Sequence, residues 1–109
     1  MLLTVRGSQS QEEVEAVVDT GFNGYLTLPT PLIEALGLRP LRRGLAILAD
    51  GSGISFDIHK AVVEWDGYPR RIAVSAADTD PLVGMSLLHG YELTVQIVDG
   101  GSVFIRTFA

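Results

Sequence analysis

The chain has 109 residues, a formal net charge of −5 and no cysteine, which points to one domain and excludes disulfides and thiolate metal sites. The acidic balance argues against nucleic-acid binding, because phosphate contacts need clustered Lys and Arg. Hydrophobic residues make up 47%, charged residues 19%, and mean hydropathy is +0.30, apolar enough to leave surface for a partner or a second copy. No segment approaches the ~20 apolar residues of a membrane span, and "MLLTVRGS" lacks the basic start of a signal peptide. The expectation is a single domain over residues 1–109, cytoplasmic and away from membranes.

In chain order, Leu3 and Val5, then Val14, Ala16 and Val18, alternate with polar neighbours around a "GSQSQ" turn, a strand pair. Leu26 and Leu28 form a short strand ended by Pro29. "TPLIEALGL" predicts a helix of about two turns, with Thr30 as N-cap, Pro31 in the first turn, Glu34 as the capping-box acid and Gly37 as the stop. Arg39, Arg42 and Arg43, the only basic cluster, read as a solvated loop. Strand patterning then resumes to residue 77, cut by hairpin turns at Asp50-Gly51 and Asp66-Gly67. "TDPLVGMSLLHG" predicts a brief strand, a glycine and one helical turn ending near Gly90. A last hairpin alternates Leu93, Val95 and Ile97 before Asp99-Gly100-Gly101. Many short strands with regular glycine turns predict an all-β barrel or sandwich carrying one or two short helices.

Few residues carry a recognisable chemistry. His59 and His89 have no second ligand at i+3 or i+4, so no metal is expected. "DGSG" lacks the lysine and helix of a phosphate loop, and no nucleophile elbow occurs. There remains Asp19-Thr20-Gly21 in "VVDTGFNGYLTLP", an acid at a strand end bracketed by Val17-Val18 and Leu26-Leu28. A turn built from Asp and Gly is the plain reading. In apolar surroundings an unpaired carboxylate is costly, so such an acid has a partner or a task.

With "VVDTG", then "LADGSGISF" as a hairpin, then "PLVGMSLL", the chain resembles the single-domain, retroviral-type (retropepsin-like) aspartic proteases, including small bacterial members. The resemblance runs in order over nearly the whole chain. It implies a closed acid-protease-type barrel half, completed as a C2 homodimer, because one DTG supplies one of two required carboxylates. It implies an aspartic endopeptidase without cofactor, acting on an extended peptide. Asp19 would be the catalytic acid, Thr20 would bond across the dyad axis, and Gly21 would bond the carboxylates or substrate. Phe22 and Asn23 would contact substrate, Asp50, Gly51 and Ser52 would tip a flap over it, and Val83 and Gly84 would support the active loop. Phe22 departs from the small residue usual there. "AADTDP" repeats Asp-Thr, but Asp80 stands where glycine is required, so Asp78 belongs to a turn. The same fold could instead be a non-catalytic dimeric peptide-binding module, or a structural β-domain of a larger complex.

Overall fold

The computed structural model describes residues 1–108. One eight-stranded sheet dominates. β1 (Leu2–Arg6) pairs antiparallel with β2 (Gln11–Glu15), setting Leu3 opposite Val14 and burying both. The short strands β3 (Val17–Val18), β4 (Leu26–Leu28) and β8 (Leu82–Val83) lie at the other end. The centre is the thirteen-residue β6 (Gly53–Trp65), paired with β7 (Tyr68–Ala76) on one edge. Its other edge carries β5 (Arg39–Ile47) along residues 53–60 and then β1 along 62–64. The order β2-β1-β6-β7-β4-β8-β3 does not return on itself. The closed barrel expected from sequence is therefore corrected to an open sheet among the described residues.

The Trp65–Tyr68 pair is joined by Asp66 and Gly67, both at positive φ (55° and 76°). That is the mirror-image turn whose twist matches a hairpin and which the Asp-Gly dipeptide favours. Four further features depart from the sequence reading. Arg39, Arg42 and Arg43 lie on β5, exposed, because its register with β6 continues through a bulge between Pro40 and Arg42. Residues 85–90 form successive hydrogen-bonded turns rather than a helix, leaving one helix in the described chain. Ile97 lies beyond the end of its strand and is exposed. Thr30 does not cap the helix α1 (Thr30–Leu36), and no capping box forms with Glu34. The helix starts one residue earlier, where the Pro29 carbonyl accepts from the N–H groups of Leu32 and Ile33 (3.1 and 3.2 Å).

Ile33 and Leu36 of α1 enter the core with Leu3, Val5, Leu26, Leu28, Val63, Val74, Val83 and Leu87. The β1–β2 turn closes the other end of α1. Ser8 and Gln9 N–H groups donate to the Gly37 and Leu36 carbonyls (3.3 and 3.2 Å), supplying partners a helix C-terminus lacks. A separate hairpin of β9 (Tyr91–Val95) and β10 (Val103–Thr107) is fastened by Tyr91. The Tyr91 ring lies 4.5 Å from that of Trp65 and 5.2 Å from the Arg70 guanidinium carbon. No helix of the described residues is long and apolar enough to cross a membrane.

Candidate active site

Asp19 leaves the end of β3, which runs parallel to β8 with Val17 opposite Leu82 and Val18 opposite Val83. The Asp19 N–H donates to the Val83 carbonyl at 2.9 Å, extending this ladder by one rung. One carboxylate oxygen, Oδ1, then accepts from the Gly21 N–H at 2.9 Å, which fixes the side chain over its own turn. The Phe22 N–H returns to the Asp19 carbonyl at 3.1 Å and closes the loop.

A second layer lies beneath. After β8 the chain passes Gly84, whose N–H donates to the Tyr25 carbonyl (3.0 Å), while Met85 and Ser86 donate to the carbonyls of Phe22 (2.8 Å) and Gly24 (3.1 Å). The Ser86 hydroxyl donates to the Asn23 carbonyl. At Gly84 a Cβ would stand 2.1 Å from the Gly24 carbonyl oxygen, so only glycine allows the two segments to meet. Val83 is fully buried between β3 and β4. Asp19, Gly21, Phe22, Asn23, Val83 and Gly84 thus form one hydrogen-bonded unit.

Sequence reasoning missed Thr27 and Ser86. Thr27 is the one buried polar residue of the described core, and its Oγ1 accepts from the Leu82 N–H at 3.1 Å. Its position between Leu26 and Leu28 was the available signal, since a hydroxyl inside a fully apolar run needs a partner.

The surroundings of Asp19 differ from the apolar bracket expected. Val17 is 59% exposed and Thr20 and Gly21 are exposed, because β3 pairs with β8 alone and its other edge is open. Val17, Val18 and Thr20 line a cleft of about 590 Å³ whose opposite wall is Leu93, Val95, Val103 and Ile105 of the β9–β10 hairpin. The open edge of the Asp19 loop and the apolar hairpin therefore form one continuous surface.

Asp50, Gly51 and Ser52 lie at the tip of the β5–β6 hairpin, and no hydrogen bond or shared cavity joins them to the Asp19 loop among the described residues. The tip is ordered by Asp50 itself. The Ser52 hydroxyl (2.6 Å) and the Ser52 N–H (2.9 Å) both donate to its Oδ1 and hold the carboxyl below its usual range. Leu45, Ile47, Leu48 and Ile54 beside the tip are exposed.

Among the described residues no group of three or more His, Cys, Asp or Glu is placed to hold a metal ion. No family model and no curated protein matches the sequence. The solution structure of simian foamy virus (mac) protease does match in three dimensions. Its TM-score is 0.55 at 17% sequence identity, covering 81% of this chain and 91% of that one. The likeness is one of fold: this chain shares the mostly-β fold of that protease.

Proposed function

We propose that this chain is an aspartic endopeptidase, completed as a C2 homodimer in which two copies of Asp19 face one another. The observation that carries this reading is the Asp19 loop itself. A carboxylate aligned by the Gly21 N–H stands on an open strand edge, held from below by β8 and Gly84. The retropepsin-like fold supports it.

Two carboxylates about 3 Å apart, at an effective dielectric near 20, repel by about 5 kcal/mol, so the pair shares one proton. The ionised member takes a proton from a water between them as that water attacks the peptide carbonyl carbon. The protonated member donates to the carbonyl oxygen. Collapse of the resulting diol breaks the C–N bond, and the amine leaves with a proton returned by the dyad. Thr20, exposed beside Asp19, would bond across the axis, and Gly21 would hold the carboxylates. Asn23 would bind substrate main chain, and Phe22 would narrow the adjoining pocket. The Asp50-Gly51-Ser52 tip would close over the peptide and exclude water. Val83 and Gly84 would keep the loop in place. The exposed apolar hairpin next to Thr20 supplies the surface for the second copy.

The test is incubation of the concentrated protein with a diverse peptide library from acid to neutral pH, beside Asp19→Asn. Cleavage by the wild type alone, with a bell-shaped pH profile, is the expected result. Cleavage that survives Asp19→Asn overturns the mechanism. Binding of extended peptides by both proteins without cleavage replaces it with the binding-module reading.

A further inference from the structure

A groove larger than the cleft beside Thr20 lies away from Asp19. It opens where β5 and β1, which share one edge of β6, part company on either side of Ala61. Its volume is about 930 Å³, and its lining includes Arg6, Arg39, Arg42, Lys60 and Arg71, five of the chain's eight basic residues, with no Asp or Glu. Arg6 pairs with Glu64 at the rim. Among the described residues, Arg39, Arg42, Lys60 and Arg71 have no carboxylate within salt-bridge distance. The register explains the gathering: Arg6 and Arg71 both stand opposite Val62, and Arg39 stands opposite Lys60. Cross-strand partners share a face, so these cations converge on one side of the sheet.

Like charges set together without counter-charges repel, and a chain of net charge −5 that concentrates its cations so presents a focused positive field. Between the cations the surface is apolar, with Leu41, Val62 and Ala73. Tyr25 lines both this groove and a smaller cavity beside Asn23 and Ser86, so the two are neighbours.

We propose that this groove is a docking site for an acidic, extended polypeptide segment. Cations interspersed with apolar positions suit an extended ligand whose carboxylates meet the cations while its backbone and side-chain methylenes lie over the apolar strip between them. A nucleic-acid backbone fits less well. It would run past the groove onto β2, which pairs with β1 and exposes Glu13 and Glu15 on the same face. The site does not depend on the chemistry of Asp19.

The experiment is fluorescence anisotropy in the Asp19→Asn background, so that cleavage plays no part. The probe is a labelled peptide of alternating glutamate and alanine, compared with its glutamine counterpart and with oligothymidylate of equal length. The glutamate peptide is expected to bind, to weaken as salt rises, and to lose at least about tenfold in affinity in K60E/R71E. R43E removes a cation outside the groove, one paired with Asp57 at 3.2 Å, and is expected to change affinity less than about twofold. Both substitutions fall on exposed side chains. Circular dichroism checks folding, and K60Q/R71Q serves if the reversal does not fold. Equal binding by wild type and K60E/R71E, equal binding of the glutamine peptide, no binding of the glutamate peptide, or tighter binding of oligothymidylate each overturns the proposal. None of these results bears on whether Asp19 hydrolyses peptides.

Discussion

The backbone N–H of Asp19 donates to the carbonyl of Val83 across 64 residues of sequence, at 2.9 Å. The acid is thereby placed by β8, a strand from the far end of the chain, and its position follows whatever β8 does.

Gly84→Ala should show this dependence. A methyl group there would meet the Gly24 carbonyl oxygen at 2.1 Å, with no flexible side chain to give way. The expected cost is about 2–3 kcal/mol in urea unfolding, with activity lost beyond that because the Asp19 loop is displaced. Gly51→Ala is the contrast: its Cβ meets nothing within 4 Å, and only the left-handed backbone, φ +88°, opposes it. About 1 kcal/mol is expected there. Equal stability of Gly84→Ala and wild type would remove the close-approach argument.

Thr27→Val keeps the shape of the side chain and deletes the acceptor of the Leu82 N–H. A buried N–H left without a partner costs about 1–3 kcal/mol. Thermal unfolding should register that loss, whereas Thr27→Ser, which restores the hydroxyl, should recover part of it. A Thr27→Val protein as stable as the wild type would mean that water or a neighbour replaces the hydroxyl.

Much of the fold was legible because strand pairs announce themselves locally. Leu3, Val5, Val14 and Ala16 alternate as a half-buried pair must, and Asp66-Gly67 spells its own turn. What failed was decided by distant neighbours. β4 buries Leu26, Thr27 and Leu28 together, since β7 and β8 flank it and both its faces are covered, so alternation cannot mark its sides. Arg39 to Arg43 look like a loop in isolation and become a strand through pairing with residues 57–60. Pro29 displaced Thr30 as the cap because the helix begins at a carbonyl, which sequence composition does not reveal. Of the site, the Asp-Thr-Gly loop and the Pro-Leu-Val-Gly segment could be picked out as candidates from their residue types. The exposure of Val17 could not, because an open edge is a property of the assembled sheet.

The proposed dimer should be sensitive to the hairpin wall of the cleft beside Thr20. Val95 and Val103 are both exposed, 45% and 54%, and they stand opposite one another in register. If this hairpin forms the proposed two-fold contact, Val95→Asp with Val103→Asp places four acids there and should shift sedimentation to the monomer with the far-ultraviolet spectrum unchanged. Under the proposed mechanism proteolysis should vanish with the dimer, since each monomer holds one Asp19. A double variant that stays dimeric moves the interface elsewhere.

The hairpin tip carries a pH signature of its own. Ser52, chiefly through its hydroxyl and then its N–H, holds the Asp50 carboxyl below the ordinary aspartate value of 3.8. A carboxyl depressed in the folded state adds to stability above its unfolded value, and the contribution disappears as pH falls through the lower, folded value. The tip should therefore stay ordered through mildly acid pH and loosen only below the ordinary aspartate range. The Ser52 amide resonance, followed by NMR, should titrate with a midpoint under 3.8. A midpoint at or above that value would show that the Ser52 bonds do not form in solution.

The uneven pairing of β6 has a mechanical consequence. Residues 58–65 are clamped by β7, whereas 53–57 have only β5 beside them. The outer hairpin is thus a two-stranded ribbon cantilevered from a thicker slab, about 17 Å long at strand rise, with its flexure point near Ile58. Its amides should exchange with solvent through local opening of the ribbon outboard of that point, at rates indifferent to the unfolding of the slab. Substitutions outboard of Ile58 would then retune how fast the ribbon swings while leaving the melting temperature almost untouched.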